Sequence, residues 1–487
     1  MQESGVGFGT SGARGLVTKM TDRVCAAYTM AFVQALKRRG EIHDFTPIGI
    51  AGDLRPSTGR ILSATAYAIR TMGHPLLHAG RVPSPAVALA GLDRKIPTLM
   101  VTGSHIPDDR NGIKFNKTTG EILKSDEQAI AAEVVTLRNE FDSQGMLLPN
   151  LPEAVLPEPE AVVAHNYVKR WIDAFPAGIL DGKRIVVFGH SAVGRELLVE
   201  ILAKLGAEVV RVGWSERFIP VDTEAIRPED SASALVWAKE HKPFAIVSTD
   251  GDSDRPLVSD EHGLWLRGDV LGVLTARFLG SHTVVTPVSS NTVVERSNAF
   301  ATVARTRIGS PFVIERMLSA VAAGSPCVTG YEANGGFLTA TPTQVPGGDI
   351  LTALPTRDPV VVMLSVLSAA VQSNRSVSEL AADLPERVTA SGRLQNLPTS
   401  KSGPRLQELA AGGLTAFDAL LGKVAGKITR LDSTDGLRGT TDGDEVIHLR
   451  PSGNAPELRC YAESTNKSRA EALVESALTA VKTAWGL

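Results

Sequence analysis

Residues 184–205 read RIVVFGHSAVGRELLVEILAKL and hold a strand, a loop and a helix in that order. The first five residues form a short run rich in β-branched side chains, which is typical of a buried strand. A glycine-bounded loop follows. The apolar side chains after it recur at helical spacing: Leu197, Leu198, Ile201, Leu202 and Leu205. This segment therefore predicts an α/β unit.

The same order recurs along the chain. Thr98–Val101 runs into TGSHIP, Phe244–Ser248 into TDGDSD, and Cys327-Val328 into TGYEANGG. Strands that alternate with helices predict mostly parallel or mixed sheets, in which ligands gather at the loops that follow the strands.

Proline and loop content suggest where the units meet. Leu148–Glu160 has four prolines in thirteen residues and is predicted to be a linker. Two weaker candidate domain boundaries lie near Ser259–Gly263 and Ser373–Leu384. In the last part we expect loops at Asn396–Gly403 and Ser433–Asp444, and a strand, loop and strand over Glu445–Ala462. The prediction is three α/β domains with mixed sheets and a C-terminal α+β domain: 1–150, 151–258, 259–375 and 376–487.

Composition excludes several classes of protein. The 50 basic and 53 acidic side chains give a net charge of −3, too balanced for a general nucleic-acid binder. Cys25, Cys327 and Cys460 are far apart and are predicted to be free thiols. The longest apolar run, Val360–Val371, is too short to span a bilayer and follows the helix-start signal Asp358-Pro359. We expect a buried helix there and, with no secretory signal at the start, a soluble cytoplasmic protein.

VSTDGDSDRPLV, residues 247–258, crowds three carboxylates into one loop. Asp250, Asp252 and Asp254 would repel one another unless a hard divalent cation such as Mg²⁺ lay between them. A solvated turn is the plain alternative. An EF-hand, with Glu261 at the twelfth position, is disfavoured because Arg255 stands where that loop needs glycine and a strand precedes it.

Two further loops carry polar groups suited to chemistry. MVTGSHIPDDRNGIKF (100–115) exposes Ser104 and His105 after a strand, with Lys114 following. The serine could be a nucleophile or a phosphate acceptor, and an ordinary turn is about as probable from this segment alone. LRPSGNAPELRCYAES (449–464) offers donors for a phosphate dianion, the alternative being a surface hairpin: Arg450, Ser452, Gly453, Asn454 and Arg459.

The remaining glycine-rich loops are less specific. TGYEANGGF (329–337) provides Glu332 and Asn334, a carboxylate and an amide suited to sugar hydroxyls, and could equally be a glycine-rich turn. GHSAVG (189–194) lacks the spacing of a nucleotide-binding loop and is better explained as a turn that begins a helix.

In this order, the loops resemble those of the α-D-phosphohexomutase family. FGTSGARG (8–15) is similar to the family's N-terminal active-site segment, and the other four match the phosphoserine, metal, sugar and phosphate loops: TGSHIPDDRNGIK, DGDSDR, GYEANGG and RPSGNAPELR. The match runs from Phe8 to Arg459. It implies four domains around a central active-site cleft.

The resemblance also implies a role for each matched residue. Ser104 would carry the transferable phosphoryl group and, with Asp250, Asp252 and Asp254, would bind Mg²⁺. Lys114 would act in proton transfer or stabilise charge, and His105, Arg14 and Arg255 would surround the group in transit. Glu332 and Asn334 would bind the sugar. The non-reacting phosphate would be held by Arg450, Ser452, Gly453, Asn454 and Arg459.

Four positions depart from the family's usual loops. Gly103 and Ile106 replace an alanine and an asparagine around Ser104, whereas the serine and His105 remain. Asn334 stands for a serine in the sugar loop, and Asn454 for a threonine in the phosphate loop. The elements that set specificity are therefore atypical.

The resemblance implies interconversion of hexose 6-phosphate and hexose 1-phosphate through a phosphoserine, with hexose 1,6-bisphosphate as intermediate and activator. The GYEANGG loop is similar to those of members that act on mannose phosphate, and glucose and glucosamine phosphates are the alternatives. A metal-dependent phosphatase and a non-catalytic sugar-phosphate-binding protein are the competing classes. We expect small hexose phosphates as partners, no nucleic acid or membrane, and a monomer or homodimer.

Overall fold

The computed structural model describes residues 1–9, 12–452 and 456–487. The first sheet is mixed, with the strand order β1-β2-β6-β5-β3-β4 and β7 beside β6. Its strands are β1 (Gly7–Phe8), β2 (Ala13–Leu16), β3 (Ile48–Gly52), β4 (Leu76–Gly80), β5 (Thr98–Val101), β6 (Arg110–Lys117) and β7 (Gly120–Glu121). The accompanying helices are α1 (Asp22–Arg38), α2 (Thr58–Thr71), α3 (Ser84–Arg94) and α4 (Lys124–Ala132).

The second sheet has the order β11-β10-β8-β9. Its elements are β8 (Arg184–Phe188), β9 (Glu208–Val212), β10 (Ala245–Thr249) and β11 (Pro256–Val258), with α5 (Ala161–Ala174), α6 (Arg195–Lys204) and α7 (Pro228–His241). The strand, loop and helix predicted over 184–205 are thus confirmed as β8 and α6. The proline-rich linker before α5 runs along the first unit, where Arg70 on α2 donates to the carbonyls of Glu153 and Val155.

The third sheet has the order β13-β12-β14-β15, beside a ribbon of β16 and β17. The strands are β12 (Thr283–Pro287), β13 (Thr302–Thr306), β14 (Val328–Tyr331), β15 (Phe337–Thr339), β16 (Thr343–Gln344) and β17 (Ile350–Leu351). The helices are α8 (Gly268–Phe278), α9 (Val293–Arg296), α10 (Ser310–Ala322), α11 (Pro359–Gln372) and α12 (Val377–Ala382). The helix α11 is buried and is capped by the Asp358 carboxylate, as predicted.

The C-terminal sheet is antiparallel, in the order β18-β22-β21-β20-β19. Its strands are β18 (Val388–Gln395), β19 (Ile428–Asp432), β20 (Leu437–Thr441), β21 (Val446–Pro451) and β22 (Glu457–Ser464), and its helices are α13 (Thr399–Ala411), α14 (Gly413–Ala425) and α15 (Lys467–Trp485). Two predicted loops are wrong: Asn396–Gly403 contains the start of α13, and Ser433–Asp444 contains β20.

The first three sheets share one topology. In each, two parallel strands are followed by a third that pairs with the first, and a fourth strand returns antiparallel to the third: β3-β4-β5-β6, β8-β9-β10-β11 and β12-β13-β14-β15. The predicted fold class, three α/β units and one α+β unit, is confirmed. The boundaries predicted after residues 150, 258 and 375 stay predictions, and the four sheets lie between them.

Apolar packing joins the units unequally. One cluster of buried side chains continues from the first unit through α5 and α6 into α8 and α11, whereas the C-terminal sheet has a separate cluster with α14 and α15. The C-terminal unit contacts the third through polar groups such as Asn291, Arg387 and Glu463. Of the helices in the described residues, none is long and apolar enough to cross a membrane. The three cysteines are free thiols, as predicted.

Candidate active site

Three of the predicted functional loops occupy the same position in three sheets. Ser104 lies between β5 and β6, the three aspartates lie between β10 and β11, and Glu332 follows β14 and precedes β15. Each loop therefore joins the third strand of its unit to the antiparallel fourth. The repeated topology brings the three loops to adjoining sheet edges, as expected for loops that follow strands.

Ser104 is fully buried and has a left-handed backbone, with φ of +57°. Its N–H donates to Thr102 Oγ1 over 2.7 Å, and its hydroxyl donates to Asp250 Oδ2 over 2.6 Å. A non-glycine residue at positive φ is held there by its surroundings and is common at functional sites. The serine hydroxyl is thus fixed against the aspartate loop.

Arg55, which the sequence did not single out, organises the Ser104 loop. Its guanidinium donates to the carbonyl oxygens of Ser104 (2.7 Å), Ile106 (2.5 Å) and Pro107 (2.7 Å). A Cβ on Gly103 would lie 2.7 Å from Cζ of this buried arginine. The glycine at position 103, one of the four departures noted above, is the residue that this close approach allows.

The aspartate loop fits a divalent cation. One carboxylate oxygen from each of Asp250, Asp252 and Asp254 lies within 4.8 Å of the others, and all three side chains are buried. Oδ1 of Asp252 and Oδ1 of Asp254 are buried without a hydrogen-bond partner. Buried carboxylate oxygens left free in such a cluster are the ligands that Mg²⁺ prefers. The EF-hand is excluded, because Glu261 binds Ser378 instead.

Neighbouring charges shift the pKa values of Asp250 and Asp252 in opposite directions. Burial and the two neighbouring aspartates raise the pKa of Asp250 well above its usual value. Burial also opposes ionisation of Asp252, but the ammonium of Lys114 and the hydroxyl of Ser84 outweigh it and lower the pKa of Asp252. Lys114 Nζ lies 2.6 Å from Asp252 Oδ2 and 2.5 Å from Asp254 Oδ2. Its ammonium thus offsets the negative charge of the loop.

His105 is a neutral acceptor in this site. Burial and the guanidinium of Arg255 lower the pKa of His105 to about 3. Its Nδ1 lies 2.9 Å from Nη1 of Arg255, which donates, so the ring proton sits on Nε2. The same Nδ1 is 3.4 Å from Oγ of Ser104.

Arg14 on β2 also reaches this cluster of charges. Burial and the neighbouring Arg255 lower its pKa to about 10, and the carboxylate of Asp252 is the largest opposing influence. Its Nε is buried without a hydrogen-bond partner among the described residues. The guanidinium is therefore a donor available to a negatively charged ligand.

A second unpredicted arginine, Arg357, links the aspartate loop to the sugar loop. It donates from Nε to Asp254 Oδ2 (3.0 Å) and from Nη1 to Glu332 Oε2 (3.1 Å), and its Nη2 forms an ion pair with Asp254 Oδ2 at 2.9 Å. Glu332 is buried, as is Asn334, whose Oδ1 accepts the N–H of Gly336. The amide of Asn334 thus stabilises its own turn, and Glu332 is the carboxylate that the arginine orients.

The predicted phosphate loop is only partly within the described residues. Arg450 at the end of β21 lies with its Nε 3.1 Å from Asp435 Oδ1, and Arg459 on β22 donates to Glu457. Ser452 is buried, and its N–H donates to the Glu457 carbonyl. Gly453 and Asn454 lie outside the described residues. Asp435 also accepts the N–H of Ile308, over 2.9 Å, so the phosphate loop is tied to the third unit.

The structure thus brings Ser104, His105, Arg14, Arg255, Lys114 and the three aspartates into one buried cluster, with Glu332 joined through Arg357. Sequence reasoning missed two supports of the aspartate loop. Ser84, at the start of α3, donates its hydroxyl to Asp252 Oδ2 over 2.5 Å. The GHSAVG loop also packs here, since Val193 N donates to the Gly251 carbonyl. From its sequence, GHSAVG is interpreted only as a turn that begins a helix, which α6 confirms, and it has no predicted place in the site.

Comparison with known proteins agrees with this geometry. Four family models match in chain order: phosphoglucomutase/phosphomannomutase alpha/beta/alpha domain I over residues 5–140, domain II over 167–263, domain III over 267–388 and the C-terminal domain over 405–480. The chain therefore belongs to the phosphoglucomutase/phosphomannomutase family of phosphohexomutases, and it is an enzyme of the isomerase class. The resemblance predicted from the five loops is confirmed.

Two individual relatives match nearly the whole chain. The chain is 41% identical to a phosphomannomutase of Salmonella muenchen, covering 100% of this chain and 98% of the relative, and 40% identical to one of Sinorhizobium fredii, covering 97% and 98%. Both relatives carry the same name, and each is matched over nearly its full length.

Solved structures share the fold. A phosphoglucomutase/phosphomannomutase family protein of Burkholderia thailandensis has a TM-score of 0.75 at 19% identity, covering 98% of this chain and 97% of that one. An N-acetylphosphoglucosamine mutase of Aspergillus fumigatus, solved with GlcNAc-6P and magnesium, has a TM-score of 0.58 at 16% identity, covering 98% and 96%.

Proposed function

We propose that this phosphohexomutase interconverts mannose 6-phosphate and mannose 1-phosphate, with Ser104 as the residue that carries the phosphoryl group. The observation that carries the proposal is the position of Ser104: its Oγ is fixed 2.6 Å from Asp250 in a buried cluster of three aspartates and three cations. Phosphoryl transfer depends on such positioning and charge stabilisation more than on covalent chemistry from the protein. Mannose as the sugar is supported by the two bacterial relatives, which are both named phosphomannomutase.

The three aspartates and Ser104 would hold Mg²⁺, which would supply positive charge to the phosphoryl oxygens. The chain's own cations add to that charge: Arg14 has a free buried Nε, and Arg255 is oriented by His105. Lys114 lies against Asp252 and Asp254, which supports a role in charge stabilisation over one as a base.

The phosphoryl group on Ser104 would pass to one hydroxyl of the bound sugar phosphate: the bond from Ser104 Oγ to phosphorus breaks, a bond to the sugar oxygen forms, and the proton of that hydroxyl ends on Ser104 Oγ. The resulting hexose 1,6-bisphosphate would rotate within the site and return its other phosphoryl group to Ser104. Arg450, Ser452, Gly453, Asn454 and Arg459 would grip the phosphate that is not reacting. Because this clamp must accept either end of the intermediate, ring recognition falls to Glu332, with Asn334 shaping its loop.

The role of Ser104 is tested by Ser104→Ala, with Ser57→Ala as the control hydroxyl removal on the same face of the first unit. We expect Ser104→Ala to lose most turnover and the one-phosphate mass increment that the wild-type protein carries as isolated. Near-wild-type turnover in a variant without that increment would refute the role. Steady release of inorganic phosphate in place of isomer would indicate a phosphatase, and sugar-phosphate binding without turnover by the wild type would indicate a binding protein.

The choice of sugar is tested by kcat/KM for mannose, glucose and glucosamine 1-phosphates. Glu332 is expected to bind the C3 and C4 hydroxyls, which mannose and glucose present identically, so Glu332→Ala should lower turnover of both by a similar factor. A variant that changes the mannose-to-glucose ratio more than about tenfold, roughly 1.4 kcal/mol, would show that Glu332 reads another position.

A further inference from the structure

A cavity of about 770 Å³ lies between the third sheet and the C-terminal sheet. One wall is α9 with the end of β13, and the other is the edge formed by β19 and β20. Its charged lining consists of Arg296, Arg305, Arg430, Arg438, Glu295, Asp432 and Asp444. None of the residues placed in the active site lines it.

Two of the four arginines are neutralised within the protein. Arg305 pairs with Glu295 through Nε over 2.7 Å, and it also donates to the carbonyls of Pro287 and Ser290. Arg296 forms an ion pair with Asp444. These side chains build the wall and have little positive charge left for a ligand.

Arg438 on β20 is different. It is 9% exposed, and within residues 1–9, 12–452 and 456–487 it has neither a side-chain hydrogen bond nor an ion pair. Burial, together with the guanidinium of Arg305, lowers its pKa. A buried guanidinium without a hydrogen-bond or ion-pair partner is costly, and the carboxylates of Glu463, Glu295 and Asp432 offset that cost only from a distance.

Arg430 on β19 stands at the rim of the same cavity, exposed to solvent. Its hydrogen bond to Thr440 Oγ1 is long, at 3.4 Å, and it has no carboxylate within ion-pair distance in the described parts of the chain. Asp432 is the lining carboxylate without an ion pair, and it accepts the N–H of Thr434. The lining therefore keeps two unpaired guanidiniums against one unpaired carboxylate.

We propose that this cavity is a second anion site, in which Arg438 and Arg430 bind the phosphate group of a small molecule. A guanidinium fork matches the tetrahedral oxygens of phosphate, and the threonine and serine hydroxyls of the lining, at Thr292, Ser433, Thr434 and Thr440, suit the remainder of a hydroxylated ligand. Because the walls belong to two units, a bound anion stabilises one placement of the C-terminal sheet, and β21 extends from that sheet to Arg450.

The test counts binding sites for radiolabelled inorganic phosphate by equilibrium dialysis, without divalent cation. We expect Arg450→Ala to remove one phosphate site and Arg438→Met to remove a different one, each variant keeping the site that the other loses. Mannose 1-phosphate should displace phosphate from the first site at lower concentration than from the second. Arg316→Met, which removes an exposed charge on α10, is the matched control and should keep both sites.

Arg438→Lys is a second variant that controls for a folding defect, because lysine keeps the positive charge but lacks the planar fork. We expect it to bind phosphate at the second site at least tenfold more weakly, with an unchanged circular dichroism spectrum. Arg430→Met should weaken the same site. Wild-type phosphate binding by Arg438→Met, or loss of all binding in Arg450→Ala, would overturn the proposal. Neither result depends on turnover, so the mutase assignment stands or falls separately.

Discussion

Arg357 donates a hydrogen bond from Nη1 to Oε2 of Glu332 over 3.1 Å, and both side chains are almost completely buried. The opposite edge of the same guanidinium holds Asp254 through one hydrogen bond from Nε and an ion pair from Nη2. A planar, rigid fork fixes both carboxylates at once. Glu332, the proposed sugar-binding residue, and Asp254, a proposed metal ligand, therefore share one positioning residue, although they belong to different units.

Arg357→Lys should weaken Mg²⁺ binding and raise KM for the sugar phosphate together. Lysine keeps the charge but cannot bond both carboxylates in the same geometry. The loss of a charge-assisted hydrogen bond is worth roughly 1.5–3 kcal/mol, so we expect about ten- to a hundredfold weaker Mg²⁺ binding. Calorimetric titration of Mg²⁺ and steady-state kinetics measure the two effects. Arg170→Lys, at a half-buried arginine on α5, is the control, and a change in only one of the two constants would contradict the shared role.

Gly103→Ala should destabilise the Ser104 loop. The new Cβ would lie 2.7 Å from Cζ of Arg55, which is held by carbonyl groups and cannot move without breaking hydrogen bonds. Overpacking of this kind costs roughly 1–3 kcal/mol, and kcat should fall with it. The control is Gly403→Ala in α13, where the added Cβ meets no atom closer than 4.0 Å. Equal thermal stability of the two variants would show that Arg55 yields to the methyl group.

Asp252→Asn should weaken the binding of a divalent cation while leaving the fold intact. The amide keeps the shape and can still bond Ser84, but it removes one negative charge from the ligand set. We expect the Mg²⁺ concentration for half-maximal activity to rise by an order of magnitude or more. Asp109→Asn, at an exposed aspartate, is the control. Full activity of the wild type after exhaustive chelation would rule out a metal requirement.

The carboxyl group of Asp358 should make stability fall as pH rises. Burial raises its pKa to about 6, whereas in the unfolded chain the carboxyl group should titrate near its ordinary pKa of 3.8. Between those values the folded state retains a proton that the unfolded state has released, so the free energy of unfolding decreases, by roughly 2–3 kcal/mol in all. Asp358→Asn keeps an acceptor for Tyr167 and Val360 and cannot ionise.

Urea unfolding of both proteins from pH 4 to pH 7 tests this. The variant should gain stability relative to the wild type across that range, with most of the gain complete by pH 7. Parallel stability curves would indicate that Asp358 titrates alike in the folded and unfolded chain.

Functional loops could be predicted from the sequence where they directly follow a strand of an α/β unit. Ser104, Asp250 and Glu332 illustrate why. A short apolar run followed by glycine and polar residues is a local signal, and the fold carries such loops to one edge of a sheet. Arg55 and Arg357 had no such signal. They lie 49 and 103 residues from Ser104 and Asp254, which they contact, and a lone arginine in sequence does not reveal a distant partner.

The C-terminal unit was predicted less well for a related reason. The segment Ser433–Asp444, which contains β20, has three glycines and three aspartates and is predicted from the sequence to be a loop. β20 is a strand because β19 and β21 pair with it on both sides. Strand formation there depends on neighbours more than on the segment's own composition.

The contact between Arg450 and Asp435 has a consequence for the speed of the proposed reaction. Before any sugar phosphate arrives, Arg450 of the proposed phosphate clamp already has an anionic partner. Binding therefore exchanges one ion pair for another, and the affinity gained is the difference between the two. Because the ion pair with Asp435 can form again when the phosphate leaves, it lowers the cost of release, which suits an intermediate that must dissociate from the clamp, rotate by half a turn and bind again.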